Sequence, residues 1–133
     1  MANEAILRDR FSDPVDFTCY DTPAMTRGSI LTLSGARLVG LSATSGVAVA
    51  GILARDKISG DGRTQVPVYI DGIFDCYFDS ALGPAVTIGS QVVISGANIL
   101  KRYATLDEEK GYVLGKILEA GAVGYCQVQV GVE

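Results

Sequence analysis

The sequence predicts an all-β fold: a small barrel or sandwich of short, mostly antiparallel strands, entered by an extended N-terminal arm. Three observations predict it. From Arg27 to the last residues, short β-branched and aromatic runs alternate with Gly, Asp and Asn turns, at roughly 8–12-residue spacing. No segment carries a helical period for more than about two turns. Sixteen glycines in 133 residues exceed the usual ~7% and lie scattered between apolar runs, which marks turns rather than a linker.

Residues 1–26 differ from the rest of the chain. They mix charges with isolated apolar anchors, Ile6, Leu7, Phe11, Val15, Phe17 and Tyr20. Pro14 and Pro23 break any helix, and Asn3 caps at most one short turn. The irregular spacing of the anchors reads as an arm laid on another subunit. The competing reading is a first strand packed on the chain's own barrel.

The body, 27–133, opens with a strand over Ser29–Leu33, a turn at Ser34–Arg37 and a second strand over Leu38–Ala43. Val47–Leu53 is almost wholly apolar and reads as a central strand, with Gly51 marking close approach of a neighbouring backbone. Lys57–Arg63 reads as a hairpin connection, with Gly60-Asp61-Gly62 as turn chemistry rather than a metal loop. Val66 and Val68 share a face with Ile70, while Pro67 demands an edge or a bulge. Asp71-Gly72 signals a tight turn. Phe74, Cys76 and Phe78 then alternate with Asp75, Tyr77 and Asp79.

Beyond Gly83-Pro84, Gly89 introduces a strand over Gln91–Ile94, and Gly96-Ala97-Asn98 turns the chain into Ile99–Tyr103. Thr105, Glu108 and Gly111 have the spacing of one capped helical turn. Tyr112–Leu118 and Tyr125–Val132 close the body as two more strands, the last with Cys126, Val128, Val130 and Val132 on one face. The tally is eight or nine strands, and no long periodic repeat is visible.

Composition narrows the function. A formal charge of −4 without a basic cluster argues against nucleic-acid binding. No apolar run approaches the ~20 residues that span a bilayer, and the N-terminus lacks the pattern of a secretory signal. The three distant cysteines, Cys19, Cys76 and Cys126, read as free buried thiols, without partners for a zinc site. There is no histidine, so a hydroxyl nucleophile has no base of the usual kind. Asp75 and Asp79 read as solvated strand-face charges rather than an acid–base pair. No catalytic residue, cofactor or metal is expected. Tyr69, Tyr77, Tyr103, Tyr112 and Tyr125 alternate with charged or amide residues, the chemistry of an interface or of a barrel rim.

Several segments, in their order, carry a resemblance. They are Arg27–Leu33, Ala50-Gly51-Ile52-Leu53, Val66–Asp75, Ile88-Gly89-Ser90-Gln91-Val92, Leu114–Glu119 and Val128-Gln129-Val130. In this order the chain resembles the head decoration, or cement, proteins of tailed bacteriophages, over roughly residues 27–132. The resemblance implies a non-enzymatic β-rich body, made in the host bacterial cytoplasm, that binds the outer surface of the expanded phage head. It implies a homotrimer clamping neighbouring subunits of the major capsid protein, with no nucleic acid and no membrane involved. On that reading the contact residues are Leu7, Phe11, Val15, Phe17 and Tyr20 of the arm, with Tyr69 and Tyr77 of the body. The alternatives are another phage structural role (tail, head completion or spike base) and a small ligand-binding barrel.

Overall fold

The computed structural model describes residues 3–43, 48–78, 88–89, 91–102, 113–120 and 124–131. Among them are eleven strands: β1 (Ile6–Asp9), β2 (Val15–Cys19), β3 (Ile30–Gly35), β4 (Leu38–Leu41), β5 (Val49–Leu53), β6 (Gln65–Tyr69), β7 (Gly72–Phe78), β8 (Gln91–Gly96), β9 (Ile99–Arg102), β10 (Val113–Ala120) and β11 (Tyr125–Val130). The all-β expectation holds. The predicted capped turn at 105–111, the Gly83-Pro84 break, Tyr103, Tyr112 and Val132 lie outside the described residues.

The chain closes two rings. β2, β4, β3, β5 and β6 form a closed barrel. The second sheet runs β1-β7-β11-β10-β8-β9, and β7 also pairs with β9, so its last five strands form a second ring. The two rings are wired alike. In each, the first strand pairs in parallel with the third and antiparallel with the fifth. The remaining ladders, β3–β4, β3–β5 and β5–β6 against β8–β9, β8–β10 and β10–β11, are all antiparallel.

The irregularities repeat as well. The β3–β4 register slips between Leu33 and Gly35, and that of β8–β9 between Ile94 and Gly96. The tip residues Arg37 and Asn98 share a left-handed conformation, at φ 52° and 58°. A bulge interrupts β5 before Gly51 and β10 before Gly115. At each of these glycines a β-carbon would collide with a carbonyl oxygen of the facing strand, Tyr69 O or Gln129 O. Glycine is used there because a strand bent by a bulge presses its backbone onto its neighbour. The expectation of close approach at Gly51 is thus met, and its contact is with β6. No long periodic repeat runs through the sequence, but short motifs mark the paired rings: Gly28-Ser29 and Ser34-Gly35-Ala36 recur as Gly89-Ser90 and Ser95-Gly96-Ala97.

The N-terminal segment is corrected too. It is two strands of the chain's own sheets rather than a separate arm. Val15, Phe17 and Cys19 alternate with the exposed Asp16 and Thr18, the period of a half-buried strand, and β2 closes the first barrel between β4 and β6. β1 is exposed along its length and is held by its ladder to β7, while the Ala5 N–H donates to Gly28 O at 2.8 Å. Removing residues 1–20 would therefore break the first barrel.

Pro67 sits in neither an edge strand nor a bulge. The β5–β6 ladder ends at Leu53–Val68, and just beyond it Ala54 N–H donates to Pro67 O at 2.9 Å. The missing N–H of Pro67 thus falls where no ladder bond is required.

Two cores follow from the two rings. Leu31, Val39, Leu53, Val66, Val68, Met25 and Cys19 fill the first barrel. Phe74, Cys76, Phe78, Val92, Ile94, Leu100, Ile117 and Val128 fill the second, and Ile30 and Ile52 of the first barrel join that cluster. The seam between barrels is therefore part of the second core. Two buried polar bonds pin it: Ile30 N–H donates to Asn98 Oδ1 at 2.8 Å, and Asn98 N–H donates to Ser42 Oγ at 2.9 Å.

Candidate functional site

The seven residues expected at a contact surface divide into two groups. Leu7 on β1, Phe11 after it and Tyr20 after β2 stand 40%, 53% and 66% exposed, and Ile6 is also exposed. Four exposed large apolar side chains on one short segment stand out from Leu33, Ile58 and Ile88, which are exposed singly elsewhere in the body. Next to Phe11, Ser12 donates through Oγ to Asp71 Oδ1 at 2.8 Å. Ile70, beside Asp71, is exposed as well.

Val15, Phe17, Tyr69 and Tyr77 are half-buried and occupied within the chain. Phe17 packs on the first core beneath the Arg37 guanidinium, whose carbon is 4.8 Å from the ring centroid. Tyr69 tilts against Phe74 across the seam, with ring centroids 5.6 Å apart. Tyr77 meets Tyr125 edge-on at 5.5 Å. Rim packing, rather than an exposed aromatic surface, describes these tyrosines. Burial first, then the nearby Glu4 and Tyr77, pushes the Tyr125 hydroxyl above its ordinary value.

A cleft of about 590 Å³ opens where the N-terminal segment crosses the seam. It is lined by the apolar Ile52, Leu53 and Phe74 and by the polar Glu4, Arg27 and Tyr125, among others. Its walls come from both barrels and from the residues preceding β1.

One polar cluster escaped the sequence. Lys57, in the β5–β6 connection, has a side chain with no exposed surface. Its Nζ lies within hydrogen-bond reach of Ile58 O (2.6 Å), Asp61 Oδ1 (2.7 Å), Asp21 O (2.9 Å) and Asp21 Oδ1 (3.1 Å). The carboxylates are themselves oriented: Asp21 Oδ1 accepts the Gly62 N–H at 2.9 Å and Asp61 Oδ1 the Arg63 N–H at 3.0 Å. Burial pulls the Lys57 ammonium down, but the bonds to Asp61 and Asp21 outweigh it and hold it above its ordinary value. Lys57 in turn, with the Arg63 N–H, holds the Asp61 carboxyl low. An ammonium so enclosed cannot act as a nucleophile or base near neutral pH. It ties the segment after β2 to the β5–β6 loop, aided by the reciprocal backbone bonds of Met25 and Lys57 at 2.9 and 2.7 Å. The spacing of Lys57 and Asp61 was the available signal, but Asp21 comes from a distant part of the chain.

Cys19 and Cys76 are buried and Cys126 half-buried, all as free thiols, as expected. Burial raises the Cys19 and Cys76 thiols above their ordinary value. Cys76 and Cys126 face each other across β7 and β11. Among the described residues no three His, Cys, Asp or Glu side chains converge as a metal site. No helix of the described residues is long and apolar enough to cross a membrane.

No protein-family model matches the sequence, and no curated protein matches it.

Proposed function

We propose that the protein is a non-enzymatic capsid decoration protein of a tailed bacteriophage. It binds the outer surface of the head and ties together neighbouring subunits of the major capsid protein, as a homotrimer. The observation that carries the reading is the concentration of exposed large apolar side chains, Ile6, Leu7, Phe11 and Tyr20, in the N-terminal segment, whereas in the rest of the described chain they are scattered singly at Leu33, Ile58, Ile70 and Ile88. The order of its strand motifs, which resembles that of cement proteins, supports it. So does the build of the molecule: two small closed barrels leave few open sheet edges, which suits a protein crowded on a lattice. Many copies each making a modest apolar contact would hold a shell by their number.

The test is co-sedimentation with expanded and unexpanded heads that lack the protein. Saturable binding to expanded heads alone, in fixed ratio to the major capsid protein, is the expected result. A protein that binds neither form is not a decoration protein. The seam cleft favours a second reading, a small-ligand binder, whose sign would be a melting shift with one compound of a metabolite panel.

A further inference from the structure

β2 and β7 hold the same place in their rings, yet one long edge of β7 carries a strand that β2 lacks. Thr18 pairs with Leu38 and Tyr77 with Ile99, each partner lying just past a Gly-Ala tip. Counting back along both strands sets Asp16 on Asp75 and Pro14 on Ile73. On β7 this edge is filled: β1 pairs Ile6 with Asp75 and Asp9 with Ile73, and Arg8 Nε lies 3.4 Å from Asp75 Oδ2.

On β2 no strand of the described residues lies there, and two residues stand in its place. Arg37 donates through Nη2 to Asp16 O, while its guanidinium rests on Phe17. The C=O and N–H of one strand residue point to the same side, so Asp16 presents its backbone to the edge that Arg37 covers. Pro14, two residues back and therefore on that same edge, has no N–H to offer. The residue in Arg37's position on the second barrel is Asn98, whose side chain is turned to Ile30 across the seam. It leaves the edge at Asp75 open to β1.

We infer that Pro14 and Arg37 are an edge guard: they close on the first barrel the strand-acceptor site that the second barrel fills with β1. An unpaired strand edge is a template for another chain, and Pro and charged side chains are the usual means of blunting it. The strand it would accept is the N-terminal strand of a second copy, because that strand already fits the equivalent edge and its Arg8 would find Asp16 where it finds Asp75. Such a contact is head-to-tail, so unguarded copies would link into strings or rings. This inference does not depend on the capsid reading.

The test swaps the second barrel's residues into the first, as Pro14→Ile with Arg37→Asn. A fluorescent peptide of residues 3–10 with blocked ends is titrated against each protein, and its anisotropy is followed. The wild type reports exchange at β7 and sets the baseline. The double variant is expected to bind about tenfold tighter or better. Adding Asp16→Lys should remove the gain, since Arg8 would then meet a like charge. A variant with an unchanged melting profile that binds no better than wild type overturns the guard, as does a gain that survives Asp16→Lys. Should the double variant fail to fold, Arg37→Asn alone is measured against the same two outcomes.

Discussion

The first barrel, Val15–Tyr69, and the second, Gly72–Val130, share their strand order, their register slips and their crowded glycines, but they are finished differently. The second is sealed by β1 along β7 and by a core that reaches into its neighbour. The first has a smaller core and is finished by polar devices, the Lys57 cage and the Arg37 cover. The comparison teaches that the ring topology is set by features common to both, whereas the exposed apolar residues Leu7, Phe11 and Tyr20 belong to the N-terminal segment that runs from one to the other. β1 lies on the second barrel and β2 within the first, so Leu7, Phe11 and Tyr20 are carried across both.

The largest effects should come from breaking what the barrels share. Gly51→Ala and Gly115→Ala each push a β-carbon into a facing carbonyl, and each should cost about 4 kcal/mol or prevent folding. Denaturant titration of both variants checks the symmetry: severe loss in only one would mean that the two bulges are not equivalent.

Next comes the device that separates the barrels. Lys57→Met should lower the melting temperature markedly at pH 7 and flatten its pH dependence. The signs follow from the two partners. Asp61 is held below its ordinary 3.8, so its contribution is full above that pH and fades as pH falls through the lowered value. Lys57 is held above its ordinary 10.5, so its contribution is full below that pH and fades as pH rises past the raised value. Melting curves from acid to alkaline pH should show both limbs in the wild type; in the variant the alkaline limb should be gone and the acid limb reduced to what the Arg63 N–H still holds.

A smaller effect is expected at the seam. Asn98→Ala leaves the buried Ile30 N–H without its acceptor and should cost about 1–3 kcal/mol. Calorimetry would show whether the barrels then melt in separate steps; a variant as stable as wild type would mean that Asn98 does not pin the seam. The smallest perturbation is chemical. In the native protein only Cys126 should react promptly with a thiol reagent, with Cys19 and Cys76 following on unfolding. Prompt reaction of all three would contradict the burial.

Much of this fold was legible from local pattern. The alternation of Phe74, Cys76 and Phe78 read directly as one buried face, and Gly51 as a close approach. Ring closure was not legible, because which strand meets which is decided by partners far apart in the chain. β2 was hidden by its neighbours: Val15, Phe17 and Cys19 keep period two, but the charged Asp13 falls on the same face and Tyr20 falls out of phase, and the whole read as irregular. The repeat was legible in the two Ser-Gly-Ala tips and was obscured because the residues between them differ. Of the candidate contact residues, type alone could not separate Tyr20, which is exposed, from Tyr69 and Tyr77, whose rings have partners only the fold supplies.

The most direct test of the central claim is co-sedimentation of the wild type and a Phe11→Ser, Tyr20→Ser variant with expanded heads that lack the protein. Both residues are exposed, so the variant should keep its melting profile, and a large loss of head binding is the predicted result. Head binding equal to wild type in a folded variant would contradict the claim that the exposed apolar residues of the N-terminal segment are what the protein presents to the capsid.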